Sequence, residues 1–302
     1  MRDAFIQTLL EEAKRDSNLI LITGDLGFGV LESFERELPR QFLNSGIAEQ
    51  SMLGLAAGIA STGKRVFVYS IGNFPTLRAL EQIRNDVCYM NNPVVIVSVG
   101  SGYSYGSQGY THHALEDIAA MRALPNMNVI SPADPIETEI LTRYLASDRK
   151  PAYLRLGRSG EKTLNKGIPT LQYGRFNQIA AGEDGTILFT GSIGYNVIAA
   201  HQLLQSQGIE VSIFSIPFVS SINLLDLKRL SKEKPIVAVE EHSIRGGLTS
   251  AILESIASFG LDLRIIPVTA TQTNLRNIGD QNYLRNVNGL SVADIACHFL
   301  ES

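Results

Sequence analysis

An α/β fold made of two doubly wound domains is what this chain of 302 residues predicts, from three observations. Short unbroken apolar runs recur along it, among them NLILITGDL, RVFVYS, PVVIVSV and TILFTGS. Each is followed by a stretch with helical spacing, and runs without polar alternation are strands covered on both faces of a parallel sheet. Between residues 159 and 178 the pattern lapses into a polar, irregular segment containing Gly160, Gly167, Pro169 and Gly174, which reads as a linker. The expected division is residues 1–160, a linker over 161–177, and a smaller α/β domain over 178–302. A chain with 44% hydrophobic residues can bury two cores of that size.

In order, residues 2–16 place Phe5, Ile6, Leu9, Leu10 and Ala13 on one helical face, and NLILITGDL gives a buried strand ending at Gly24-Asp25. The end of a short strand at Phe42 leads to Asn44-Ser45-Gly46, which can cap a helix. The helix expected over 46–62 is apolar on nearly every side, as an interior helix is, and carries Glu49 at its threshold. Strands RVFVYS, PVVIVSV, MNVISP and AYLRLG then alternate with helices over 76–91, 113–122 and 134–147. After the linker, TILFTGS, VSIFSI, PIVAVEE and LRIIPV alternate with helical stretches near 193–207, 221–231 and 244–258 and at the C-terminus. Ligands of such sheets bind beyond the carboxyl ends of the strands, so the loops after Gly24, Ser70, Val99, Ile130 and Leu156 are where a site is expected.

Composition excludes several classes. The 26 basic and 30 acidic residues give a net charge of -4 with no basic cluster, so neither nucleic acid nor an anionic membrane is an expected partner. Cys88 and Cys297 are too few for a disulfide framework and lack metal-site spacing, which suits a reducing compartment. The N-terminal MRDAFIQTLLEEAKRD is charged throughout and reads as neither signal peptide nor membrane span; a cytoplasmic protein is expected.

Two readings are open for Glu49. It is an acid in a first helical turn, favoured there by the helix dipole, or a proton donor whose pKa is raised by dry surroundings. The loop GSGYSYGSQGYTHHALED has four glycines in its first ten residues and a histidine pair where a helix is expected to begin; it fits neither the phosphate-loop nor the dinucleotide fingerprint.

Taken in order, GDL at 24–26, GIAEQ at 46–50, YSIGNFPTL, YTHHALED, LPNMNVISPAD and LRLGRSG resemble the pyrimidine-binding domain of the thiamine diphosphate-dependent transketolase family. VEEHSIRGGLTSAI is similar to a segment of that family's C-terminal domain. The resemblance implies that Glu49 shares a proton with the cofactor's pyrimidine ring, the cofactor serving as electron sink. Phe74 lies where the family stacks an aromatic on the pyrimidine, with Tyr69 as a second candidate and core packing as the alternative for either. Asp25 matches an acid that helps to hold the cofactor. His112 matches a histidine that meets the substrate's reacting oxygen, His113 lies beside it, and Arg158 matches an arginine that grips the substrate phosphate.

The resemblance also shows what differs. The family's diphosphate- and metal-binding domain, with its GDG motif, has no match; Gly182-Glu183-Asp184-Gly185 reads as a turn between strands. The implied protein is therefore one subunit of a split, heterotetrameric transketolase, active with a separate subunit that binds the diphosphate and Mg²⁺. Gly29, Gly100 and Gln108 stand where serine, histidine and aspartate are common, so an unphosphorylated, branched or nucleotide-linked sugar is an expected substrate. Rival readings are the beta subunit of a 2-oxo acid dehydrogenase, a 1-deoxyxylulose 5-phosphate synthase-like ancestry, and a non-catalytic scaffold subunit.

Overall fold

The computed structural model describes residues 1–271 and 275–300. Helix α1 (Arg2–Arg15) has Asp3 in its first turn and Lys14 and Arg15 in its last, matching the helix dipole, and buries Phe5, Ile6, Leu9 and Ala13. Strand β1 (Leu19–Thr23), helix α2 (Glu32–Glu37) and strand β2 (Phe42–Asn44) precede the central helix α3 (Glu49–Ala60). Then come β3 (Arg65–Ile71), α4 (Phe74–Leu77), α5 (Leu80–Gln82), a π-helix (Ile83–Tyr89) and β4 (Val94–Val99). Helix α6 (Asp117–Arg122), β5 (Asn128–Ile130), α7 (Pro135–Ser147) and β6 (Ala152–Leu156) complete the first domain.

These six strands form one parallel sheet in the order β2-β1-β3-β4-β6-β5. The four central strands, β1, β3, β4 and β6, are buried almost throughout, which is why their sequences read as unbroken apolar runs. The carboxyl ends of β1, β3, β4 and β6 share one edge, so the loops after Thr23, Ile71, Val99 and Leu156 converge.

The second domain has β7 (Asn177–Ala180), β8 (Gly185–Thr190), α8 (Gly194–Gln205), β9 (Val211–Ser215), α9 (Leu224–Leu227) and β10 (Ile236–Glu240). It ends with α10 (Leu248–Phe259), β11 (Ile265–Thr269), α11 (Gln281–Val287) and α12 (Val292–Leu300). Its sheet order is β11-β10-β8-β9-β7, parallel except for the edge strand β7, which runs antiparallel to β9. The sequence NQIA is polar and half-buried, so its first residues are indistinguishable from linker by pattern. Gly182 to Asp184 do lie between two strands, β7 and β8, and Gly185 opens β8.

Three expected helices differ. The stretch 76–91 is split into α4, α5 and the π-helix, the break falling at Arg78-Ala79. The stretch 113–122 begins only at Asp117, after 3₁₀ turns at Gly106–Gln108 and Tyr110–His112, because Ala114 bonds back to Gly102 instead of entering a helix. The stretch 221–231 is helical only over α9, capped by Asn223.

The domains are tied by polar groups buried on both sides. Asp117 and Arg155, both in the first domain, pair at 2.7 Å with side chains almost wholly buried, and Arg155 also donates to the carbonyl of Glu241 in the second. Burial alone would raise the Asp117 carboxyl; Arg155 and His242 outweigh it and hold it below the usual carboxylate range. A second tie runs through Glu137 at the start of α7. It accepts from Ala133 N–H at 2.7 Å, Asn177 Nδ2 at 2.8 Å and Ser215 Oγ at 3.1 Å.

Burial pushes Glu137 up to about 7. Between its unfolded value and about 7 the folded chain therefore holds a proton that the unfolded chain has lost, so this group's contribution to stability falls as pH rises. The expected loss is about 3 kcal/mol by pH 8. Thermal unfolding at pH 5 and pH 8 should show a larger drop in Tm for the wild type than for Glu137→Gln. Parallel pH dependence in the two would mean that Glu137 does not titrate in this range.

Candidate active site

Helix α3 begins at Glu49 because Gly46, with φ of 72°, reverses the chain after β2. From Met52 inward the helix is apolar and packs against β3, so the Glu49 side chain is anchored at its mouth with 7% of the residue exposed. Asp25, at φ 56°, caps the end of β1 from the neighbouring loop. Its backbone N–H donates to Asn44 Oδ1 at 3.0 Å, and Gly46 N–H donates to the same oxygen at 3.0 Å. Asn44 Nδ2 returns a bond to Asp25 Oδ1 at 3.1 Å. This polar joint fixes the entry to α3.

The segment after β3 brings two further groups to Glu49. Phe74 opens α4, and Arg78 lies one turn later on the same face. Arg78 Nη1 donates to Glu49 Oε1 at 2.8 Å, while its guanidinium carbon sits 3.7 Å from the Phe74 ring centroid. From the loop after β4 comes His112, its ring 5.1 Å from that of Phe74 in an edge-on arrangement. The histidine loop is clamped to the Phe74 loop by Asn73, whose Nδ2 donates to the His113 carbonyl, and by Gly72, where a Cβ would come within 3.2 Å of the His112 carbonyl oxygen.

His112 Nδ1 lies 3.0 Å from Thr111 Oγ1. Its pKa is lowered by partial burial and by the charge of Arg78, so the imidazole is neutral at pH 7. Glu49, Phe74 and His112 are thus one cluster, with Asp25 held at its edge through Asn44. Arg78 joins them, a residue the sequence did not single out. The signal that could have found it is its spacing of four residues from Phe74 on a short helix.

Other expected site residues lie elsewhere. Tyr69, a candidate ring for the pyrimidine, is 2% exposed and stacked on Phe5 at 6.2 Å, where burial raises its phenol far above the usual range. It packs the opposite face of the sheet from α3 and has no open ring face to offer a ligand. His113 is buried edge-on between Tyr103 and Tyr110, and burial lowers its pKa. Gln108 is exposed at the end of a 3₁₀ turn.

Arg158 is exposed after β6, its guanidinium 5.0 Å from the Tyr105 ring. That tyrosine fills a notch at Gly100, which has φ of 99°; a Cβ there would meet the ring at 2.1 Å. This chain therefore presents a phenol beside Arg158 at the Gly100 notch. A cavity of about 420 Å³ lies between the domains here, lined by Arg158, Ser104, Lys162, Tyr195, Asp280 and Arg285.

Residues 1–161 match the family described as transketolase, pyrimidine binding domain, and residues 174–295 match transketolase, C-terminal domain. The chain belongs to the transketolase family. It is 35% identical over 270 residues to one subunit of the apulose-4-phosphate transketolase of Phocaeicola vulgatus, covering 88% of this chain and 86% of that one. It is 37% identical over 305 residues to a putative transketolase C-terminal section of Methanocaldococcus jannaschii, covering 100% and 95%.

Among solved structures, a split gene transketolase described as an inactive beta4 tetramer superposes with a TM-score of 0.86 at 30% identity, covering 99% of this chain and 96% of that chain. The chain is a transketolase-like transferase of the heteromeric kind, and the ketol-transfer reading of its sequence agrees with these relatives better than the 2-oxo acid dehydrogenase one. No described helix is long and apolar enough to cross a membrane, and no described cluster of His, Cys, Asp and Glu could hold a metal ion.

Proposed function

We propose that this chain supplies the pyrimidine side of a thiamine diphosphate site and transfers a two-carbon ketol unit from a ketose donor to an aldose-type acceptor. A separate subunit would provide the diphosphate and Mg²⁺ contacts, the two kinds of chain pairing into a heterotetramer. The observation that carries this reading is the Glu49, Phe74 and His112 cluster at the carboxyl edge of the sheet. Its chemistry fits the group: Glu49 and Phe74 already hold one planar N–H donor, the Arg78 guanidinium, by a hydrogen bond and a ring face together. An aminopyrimidine presents the same planar N–H pattern.

Bound there, thiamine diphosphate would supply the electron sink for cleaving and forming a carbon–carbon bond. Glu49 would hold a proton at a carboxylate oxygen in a niche walled by α3, sheltered from water. Phe74 would orient the ring by stacking. With Thr111 beside Nδ1, His112 would offer Nε2, as a neutral imidazole, to a substrate oxygen and move a proton there. Arg158 would hold the far end of the substrate.

Tyr105 in the Gly100 notch supports a substrate other than the ordinary sugar phosphates, and the Phocaeicola vulgatus relative is named for apulose 4-phosphate. Gly54 and Gly58 leave an open face on α3, with nothing within 4 Å of a Cβ built at either, beside the exposed Leu55. That face suits close packing against another subunit.

The test is calorimetric titration of thiamine diphosphate with Mg²⁺ into this chain and into its complex with the partner subunit. Binding confined to the complex is the expected result. Tight binding to the chain alone would mean that the diphosphate site lies within it, and binding to neither would remove the catalytic reading.

A further inference from the structure

We propose that Arg78 is an internal competitor for the cofactor ring: its guanidinium takes the contacts with Glu49 and Phe74 and must swing into solvent before the pyrimidine can enter. This rests on the functional reading above and adds a gate to it. The Glu49 carboxylate has a single ion-pair partner among the described residues, and that partner is Arg78. The same cation covers the Phe74 face that lies nearest the carboxylate, at 3.7 Å from the centroid. A ring stacked on that face and donating to Glu49 would coincide with the guanidinium.

Mobility is built into the arrangement. The Arg78 side chain is 49% exposed while that of Glu49 is 8% exposed, so the arginine reaches in from solvent to an acid fixed in the protein. Arg78 sits at the break between α4 and α5, where no continuous helix holds it. Its charge also lowers the pKa of His112, so its departure would make that imidazole more basic as the site fills. The contacts to be displaced are a half-exposed ion pair and a cation–π contact, each of modest strength.

The experiment is calorimetry on the complex with the partner subunit, comparing wild type with Arg78→Ala and with Arg78→Met, which keeps an apolar stem without charge. Two probes are used with Mg²⁺: thiamine diphosphate, and inorganic diphosphate, which has no ring. Both variants are expected to bind thiamine diphosphate about 3- to 10-fold more tightly, with the affinity for diphosphate unchanged. Weaker binding of thiamine diphosphate would make Arg78 a cofactor-holding residue and overturn the proposal. Unchanged affinity, or an equal shift for both probes, would overturn it as well. Failure of wild-type complex to bind thiamine diphosphate would remove the functional reading itself, and the gate with it; tight wild-type binding with unaltered variants removes only the gate.

Discussion

Glu49→Gln is expected to lower kcat of the assembled enzyme by about 10²- to 10⁴-fold, the range for removing a positioned proton-transfer group. The amide keeps the shape of the side chain and can still accept from Arg78 Nη1, so the helix start should be undisturbed. What it cannot do is gain and lose the proton. Turnover of a ketose donor with an aldehyde acceptor, measured beside the thermal unfolding of the same preparation, separates the chemical loss from a folding defect. Full turnover in the variant would remove Glu49 from the mechanism, and an equal collapse of Tm would make its role structural.

The largest expected effect on stability belongs to Arg155. Arg155→Met leaves the Asp117 carboxylate in a fully buried position with Tyr153 as its remaining hydrogen-bond donor and His242 Nε2 3.8 Å away. Uncovering one partner of a buried pair costs about 3–5 kcal/mol. The variant also loses the bonds from Arg155 to the carbonyls of Ala114 and Glu241, the second of which joins the two domains. Denaturant unfolding should show the full cost in Arg155→Met and a smaller one in Arg155→Met with Asp117→Asn, because the second change removes the stranded charge. Equal destabilisation of the single and double variants would mean that packing, rather than the unpaired carboxylate, sets the cost.

Much of this site is legible in the sequence because its anchor is a contrast of chemistries. Glu49 stands out as one acid at the head of a helix that, after Gln50 and Ser51, is made of Met, Leu, Ala, Gly and Ile, and the structure puts it at the mouth of the core as that contrast implies. Strand direction is legible for the same reason, since runs buried on both faces lead to loops that share one edge. Side within a strand is not. Every residue from Arg65 to Ser70 is buried, so nothing in the spacing of β3 distinguishes Tyr69, which faces α1, from residues facing α3.

The histidine pair shows the limit again. Adjacent residues in a tight turn point apart, and only one of them, His112, meets Phe74. Arg78 escapes notice because an exposed arginine in a helical stretch reads as solvated charge. Its role depends on a helix break and on a contact with Glu49 across 29 positions of sequence.

That helix break is followed by the π-helix from Ile83 to Tyr89, which buries Ile83, Val87 and Cys88. A wider turn takes up an additional residue while keeping the segments on either side on their own faces. Relatives that are one residue shorter here can therefore preserve both the Phe74 cluster upstream and the core around Cys88 downstream. Counting forward from Phe74 and backward from Cys88 would then assign different counterparts to the same residue, and equivalences across this segment are better drawn from contacts than from position.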